Sequence, residues 1–98
     1  MITRIVRMEF QADKVADFMN IFEESKTRIR NFEGCSHLTL FGDAANPNVR
    51  VTYSIWESEK ALENYRNSEL FRQTWAKTKV LFAQKPIAFS LQSLIEVE

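Results

Sequence analysis

Glycine, proline, cysteine and histidine are all scarce in this chain. Gly34 and Gly42 are its only glycines, and Pro47 and Pro86 its only prolines, in 98 residues. These two residue types punctuate structure, so their scarcity predicts long regular elements, short connections and no linker, within one domain over residues 1–98. Cys35 is the only cysteine. One thiol excludes an internal disulfide and a cysteine-based zinc or iron–sulfur site within one chain. His37 is the only histidine, and with scattered carboxylates it makes no metal set. No Gly-rich phosphate loop, HExxH, EF-hand or GxSxG elbow occurs. Charge of one sign is not in excess: 13 Lys and Arg face 13 Asp and Glu. That balance removes any bulk attraction to nucleic acid or anionic lipid. No apolar run approaches a membrane span, and MITRIVRMEF alternates with charges, unlike a signal peptide. The expectation is a reduced, soluble, cytoplasmic protein.

What is present is periodicity. Residues 2–10 alternate as a strand, with Ile2, Val6, Met8 and Phe10 on one side and Thr3, Ile5, Arg7 and Glu9 on the other. Arg4 is a charge in the apolar row, which calls for a partner or for water nearby. Asp13 is placed to cap a helix reaching about Asn31, with Val15, Phe18, Met19, Phe22 and Ile29 on one face. Cys35–Phe41 reads as a second strand, GDAANPNV as a hairpin loop, and Val49–Trp56 as a third strand. Ser58 caps the next helix, and Asn67-Ser68-Glu69 starts a fresh helix or a bend. Pro86 stops that helix, and Ile87, Phe89 and Leu91 alternate as a last strand. The order strand, helix, strand, strand, helix, strand predicts an α+β, ferredoxin-like βαββαβ fold. Its antiparallel four-stranded sheet carries the helices on one face. The other face is expected to hold Thr3, Ile5, Arg7, Trp56, Ala88, Ser90 and Leu94. It is apolar enough to pair with a second copy as a homodimer.

The order of elements, EGC opening the second strand, YSIWES leading into the second helix and ALENYRNSELFRQTW within it resemble the antibiotic biosynthesis monooxygenase family. The resemblance implies a dimeric α/β barrel with an apolar pocket between helices and sheet in each subunit. It also implies three chemistries: oxygenation of phenolic or quinol-like aromatics by O₂ without a cofactor, haem binding and degradation, or processing of small molecules in related barrels. The haem-degrading branch uses a strand Asn, a helical Trp and a later helical His. Here Tyr65 falls at the Trp position and Trp75 at the His position, and TRIVRMEF has no Asn. Haem degradation is therefore not expected, nor is any other cofactor.

His37 is the candidate general base, because imidazole titrates near neutral pH. An interior or interface histidine is the plainer reading. Trp75 can stack on a planar substrate and Tyr65 can hydrogen-bond its oxygen. Phe18, Phe22, Tyr53, Phe71 and Phe82 are candidate pocket walls. Core packing accounts for the same helical aromatics at less cost. Strand alternation sends Tyr53 to the pocket and Trp56 to the dimer face. The activity expected is a monooxygenase for a small aromatic substrate. A non-catalytic binder of such a molecule or of haem, and an isomerase, remain the alternatives.

Overall fold

The computed structural model of the chain describes residues 1–98. Four strands, β1 (Ile2–Glu9), β2 (Cys35–Gly42), β3 (Val49–Trp56) and β4 (Ile87–Leu91), form one antiparallel sheet in the order β2-β3-β1-β4. Three helices, α1 (Val15–Arg30), α2 (Glu59–Arg66) and α3 (Glu69–Lys79), complete the ferredoxin-like α+β fold. α1 packs on β2 and on α3, while α2 packs on β3.

Both predicted serine caps form. Ser58 Oγ accepts from Ala61 N at 3.1 Å, and Ser68 Oγ accepts from Phe71 N at 3.2 Å. Each meets one of the unpaired N–H groups that every helix start leaves. The second cap is why the helical segment breaks in two after Arg66. Asp13 does not cap α1. It lies inside a short 3-10 turn, Ala12–Lys14, held by Lys14 N donating to Gln11 O. The third helix stops at Lys79, earlier than Pro86 alone would require. Phe82 follows it in an isolated bridge to Phe10. In the hairpin loop Asp43 Oδ1 accepts from the backbone N–H groups of Ala45 and Asn46. Gly34 enters β2 with φ +90, and a Cβ there would stand 2.5 Å from that of Ala61. Only glycine meets both demands.

Register decides which side of each strand faces the helices. β1 pairs Ile2 with Trp56, Arg4 with Ser54 and Val6 with Thr52. On its other edge it pairs Arg4 with Ser90 and Val6 with Ala88. Paired residues share a face, so Trp56, Ala88 and Ser90 sit on the helix side, contrary to expectation. Trp56 is fully buried, while Leu94 lies beyond β4 and is exposed. The outer face carries Thr3, Ile5 and Arg7 as expected, joined by Val51, Tyr53, Ile55, Ile87, Phe89 and Leu91. Ile87, Phe89 and Leu91 are 53%, 43% and 49% exposed.

The core under the helices is divided. One cluster joins Ile2, Cys35, Trp56, Ala61 and Leu62. The other joins Met8, Phe10, Phe18 and Leu81. The inward row of β1 runs from Ile2 in the first to Met8 in the second, with Arg4 and Val6 between them. A cavity occupies that interval.

Candidate functional site

The cavity measures about 310 Å³, at the small end of the range for small-molecule pockets. The sheet supplies Arg4, Val6, Leu38, Thr52, Ser54 and Trp56 as its floor. α1 contributes Phe18 and Phe22, and the α2–α3 segment contributes Tyr65, Arg66, Phe71, Thr74 and Trp75. Pro86 and Ala88 close the β4 side.

Its aromatic lining residues belong to a continuous run of rings that also passes through Phe10 and Phe82 behind them. Phe22 meets Phe18 at 6.1 Å between centroids, and Phe18 stacks on Phe10 at 4.4 Å. Phe82 then bridges Phe10 and Trp75, at 5.4 and 5.5 Å. Trp75 stacks on Phe71 at 5.7 Å, Phe71 meets Tyr65 edge-on at 5.3 Å, and Tyr65 stacks on Trp56 at 4.8 Å. Rings in mutual contact hold one another's rotamers, which favours a preformed slot for a flat apolar ligand.

Among the expected site residues, Phe18, Phe22, Tyr65, Phe71 and Trp75 line the cavity together. Phe82 stands behind Trp75 and Phe10 and does not line it. Tyr53 lies on the outer face, 5.1 Å from the His37 ring and 6.2 Å from Phe41. His37 is on that face too, its Nε2 2.7 Å from Thr39 Oγ1. A full sheet separates both from the cavity, so His37 cannot serve as base for a ligand bound there in the same chain. Trp56, expected at the outer face, is the cavity floor, and its Nε1 donates to Ser54 Oγ at 2.9 Å.

Sequence reasoning missed Thr52, Ser54 and Thr74 of the polar lining, while Tyr65 was expected there as a hydrogen-bond donor. Arg4 was visible as a charge in an apolar row. Arg66 reads from sequence as a candidate contact for an anionic substrate, with a solvated helix face as the cheaper account, and the structure brings it to the cavity. Burial lowers the pKa of the Arg4 guanidinium, and the nearby charge of Arg66 lowers it further. Tyr65 is the only other titratable group of the lining, which contains no carboxylate and no imidazole. Burial drives the Tyr65 phenol well above its ordinary value, with a smaller contribution from Cys35. Burial likewise raises the Cys35 thiol, against smaller lowering effects from its hydrogen bond to the backbone at His37 and from Arg30. Tyr65 is therefore a neutral hydroxyl at working pH, able to donate a hydrogen bond but not to act as base. Nowhere do three His, Cys, Asp or Glu side chains gather as metal ligands.

The raised phenol has a consequence for stability. Below the ordinary tyrosine value of 10.0 both folded and unfolded chains keep the proton. Above it the unfolded chain ionises first, so the stability present at lower pH is lost as pH rises toward the folded value. The expected slope is about 1.4 kcal/mol per pH unit across that window. Melting curves between pH 9 and 11 should show it, and Tyr65→Phe should flatten it. Equal slopes in the two proteins would remove Tyr65 from the account.

The profile of the antibiotic biosynthesis monooxygenase family matches residues 1–77, and the chain belongs to that family. Solved structures agree on the fold. A structure described as an antibiotic biosynthesis monooxygenase superposes with TM-score 0.91 at 17% identity, covering 97% of this chain and 100% of that one. Rv0793 from Mycobacterium tuberculosis gives 0.89 at 21%, covering 99% and 98%. PA3566 from Pseudomonas aeruginosa gives 0.85 at 19%, covering 96% and 94%. No functionally curated protein matches the chain. No helix is long and apolar enough to cross a membrane.

Proposed function

We propose that the protein is a cofactor-independent monooxygenase for a small, flat, ionisable aromatic substrate of the phenol or quinol type. The aromatic-walled cavity beside two guanidiniums is the observation that carries this reading, together with the family. The cavity lined by Trp75, Phe71 and Trp56 suits an aromatic ring, and an ionised oxygen is favoured by the positive charge. The substrate loses its proton to water, because the lining holds no carboxylate or imidazole to take it. Its anion passes one electron to O₂, and the resulting radical and superoxide combine to form a C–O bond. At a benzylic CH₂, the peroxide then loses the remaining C–H proton and its O–O bond breaks. This leaves C=O and hydroxide, which becomes water. One oxygen atom enters the product and the other leaves as water. The chain's part is to orient the anion and keep bulk water from it.

Haem suits this lining poorly. No imidazole or thiolate projects into it, and Tyr65 stays a neutral phenol rather than a ligating phenolate. An isomerase must take a proton from carbon and return it, and the same lack of a base argues against that alternative. It does favour a second reading, a binder of small aromatics without turnover. Oxygen-electrode assays with anthrone-like and hydroquinone substrates separate the two. Protein-dependent O₂ uptake is expected, at one O₂ per substrate and with one ¹⁸O atom in the product for the anthrone-like compounds, whose benzylic CH₂ becomes C=O. Trp75→Ala should lower kcat/KM about tenfold, since losing a ring stack costs roughly 1–1.5 kcal/mol. No uptake above the protein-free rate across the panel would leave only the binder.

We further propose that two copies pair through the outer sheet face, where the exposed Ile87, Phe89 and Leu91 adjoin the half-buried Ile5 and Tyr53 in one apolar surface.

A further inference from the structure

We infer that Arg4 and Arg66 form a two-guanidinium clamp that binds the ionised oxygen of an aromatic phenol or enol in the cavity. The inference deepens the proposed function and rests on it for the class of ring that the walls accept. The clamp itself is argued from charge and placement.

Arg4 stands on the floor between the two halves of the core, where an apolar residue would complete the row of Ile2, Val6 and Met8. Its one side-chain partner is neutral: Nη1 donates to Ser90 Oγ at 3.1 Å. The ion pairs of the chain are Arg7–Glu9, Lys14–Asp17 and Lys26–Glu23, so neither Arg4 nor Arg66 has a carboxylate. Arg66 projects from the last turn of α2 to the same cavity, close enough for its charge to act on Arg4. A half-buried guanidinium beside a second one, without a counter-ion, costs folding energy. An anion in the cavity reverses that cost, because it meets two charges at once through charge-assisted hydrogen bonds. Tyr65 lines the same space with a neutral hydroxyl. Every hydrogen bond that the structure gives Tyr65 from its neighbours in the α2–α3 turn goes to its backbone carbonyl, from Ser68 Oγ and from backbone N–H. The three groups are chemically matched to one oxyanion. An adjacent positive charge lowers the pKa of an acid by about one to three units. The clamp therefore replaces a general base by making the substrate itself a stronger acid.

The test uses 4-nitro-1-naphthol, whose phenolate is coloured, and the neutral 1-nitronaphthalene. With the full chain, the bound naphthol should titrate at least one unit lower than the free naphthol, which is a tenfold preference for phenolate over phenol. Arg4→Gln and Arg66→Gln should each remove most of that preference, while 1-nitronaphthalene keeps its Kd and the melting curves show folded protein. A bound naphthol that titrates at or above its free value overturns the clamp. So does an unchanged preference in both variants, or an equal loss of affinity for the neutral compound. No turnover is needed, so the two ideas fail separately. A clamp without O₂ uptake is an anion-binding site, and O₂ uptake without phenolate preference leaves the monooxygenase and removes the clamp.

Discussion

Trp56→Ala is expected to destabilise the protein by about 3–5 kcal/mol, the range for deleting a fully buried large aromatic. Trp56 is 0% exposed and is among the largest fully buried side chains. The change removes its stack on Tyr65 and its edge contact with Phe32, at 4.8 and 6.3 Å. It also leaves the buried Ser54 hydroxyl without its indole donor at 2.9 Å. Trp56 adjoins the existing cavity, so the neighbours have little to collapse against. For a domain of this size the melting temperature should fall by ~20 °C, read by circular dichroism. Trp56→Phe should fall between the two, since it keeps the ring and loses the N–H. A drop of only a few degrees in Trp56→Ala would show that the cluster of Ile2, Cys35, Ala61 and Leu62 holds without it.

Phe89→Glu is expected to turn a dimer into a monomer. Phe89 pairs with Ile5 on β1, and Ile5 pairs with Tyr53 on β3, so the change falls in the middle row of the outer face. In a two-fold interface each substitution occurs twice. One unpaired buried charge costs about 2–5 kcal/mol, so the pair should weaken association at least ~1000-fold. Sedimentation velocity at micromolar concentration should give a dimer for the native chain and a monomer for Phe89→Glu. A native chain that sediments as a monomer would refute the pairing outright. The change is on the far side of the sheet from the cavity, so a folded Phe89→Glu monomer also tells whether the cavity works alone.

The starts of α2 and α3 were legible because capping is local, whereas Asp13 at the first helix does not cap. Ser58 and Ser68 act on N–H groups three residues away, and no distant contact has to be known. The strand faces were not legible in the same way. In β3 the apolar row is Val51, Tyr53 and Ile55, which alternation alone sends inward. The inward row is in fact Thr52, Ser54 and Trp56. Both faces of this sheet carry apolar residues, so polarity cannot tell the helix side from the outer side. In β2 the register shift between Cys35 and His37 adds a second ambiguity, since a bulge changes which side the following residues take. His37, Tyr53 and Trp56 were all misjudged or left open for these reasons. Helical spacing put Phe18, Phe22 and Trp75 on faces that turn toward the sheet, and they line the cavity with Tyr65 and Phe71, whereas Phe82 lies past the end of α3 and does not.

By itself the sequence determined the element order, both serine caps, the ferredoxin-like arrangement and the family. These follow from local periodicity and from residues that act on their near neighbours. It also determined that no disulfide forms within one chain, because one cysteine cannot make one. Only the tertiary structure decided what the scarce and unusual residues face. Pairing with β1 set Trp56 under the helices, and pairing of β2 with β3 set His37 outside. The fold left Arg4 in the gap between two core clusters, with Arg66 brought to it from a helix more than sixty positions away. Charge repulsion between those two depends on distance in space, and no spacing along the chain encodes it.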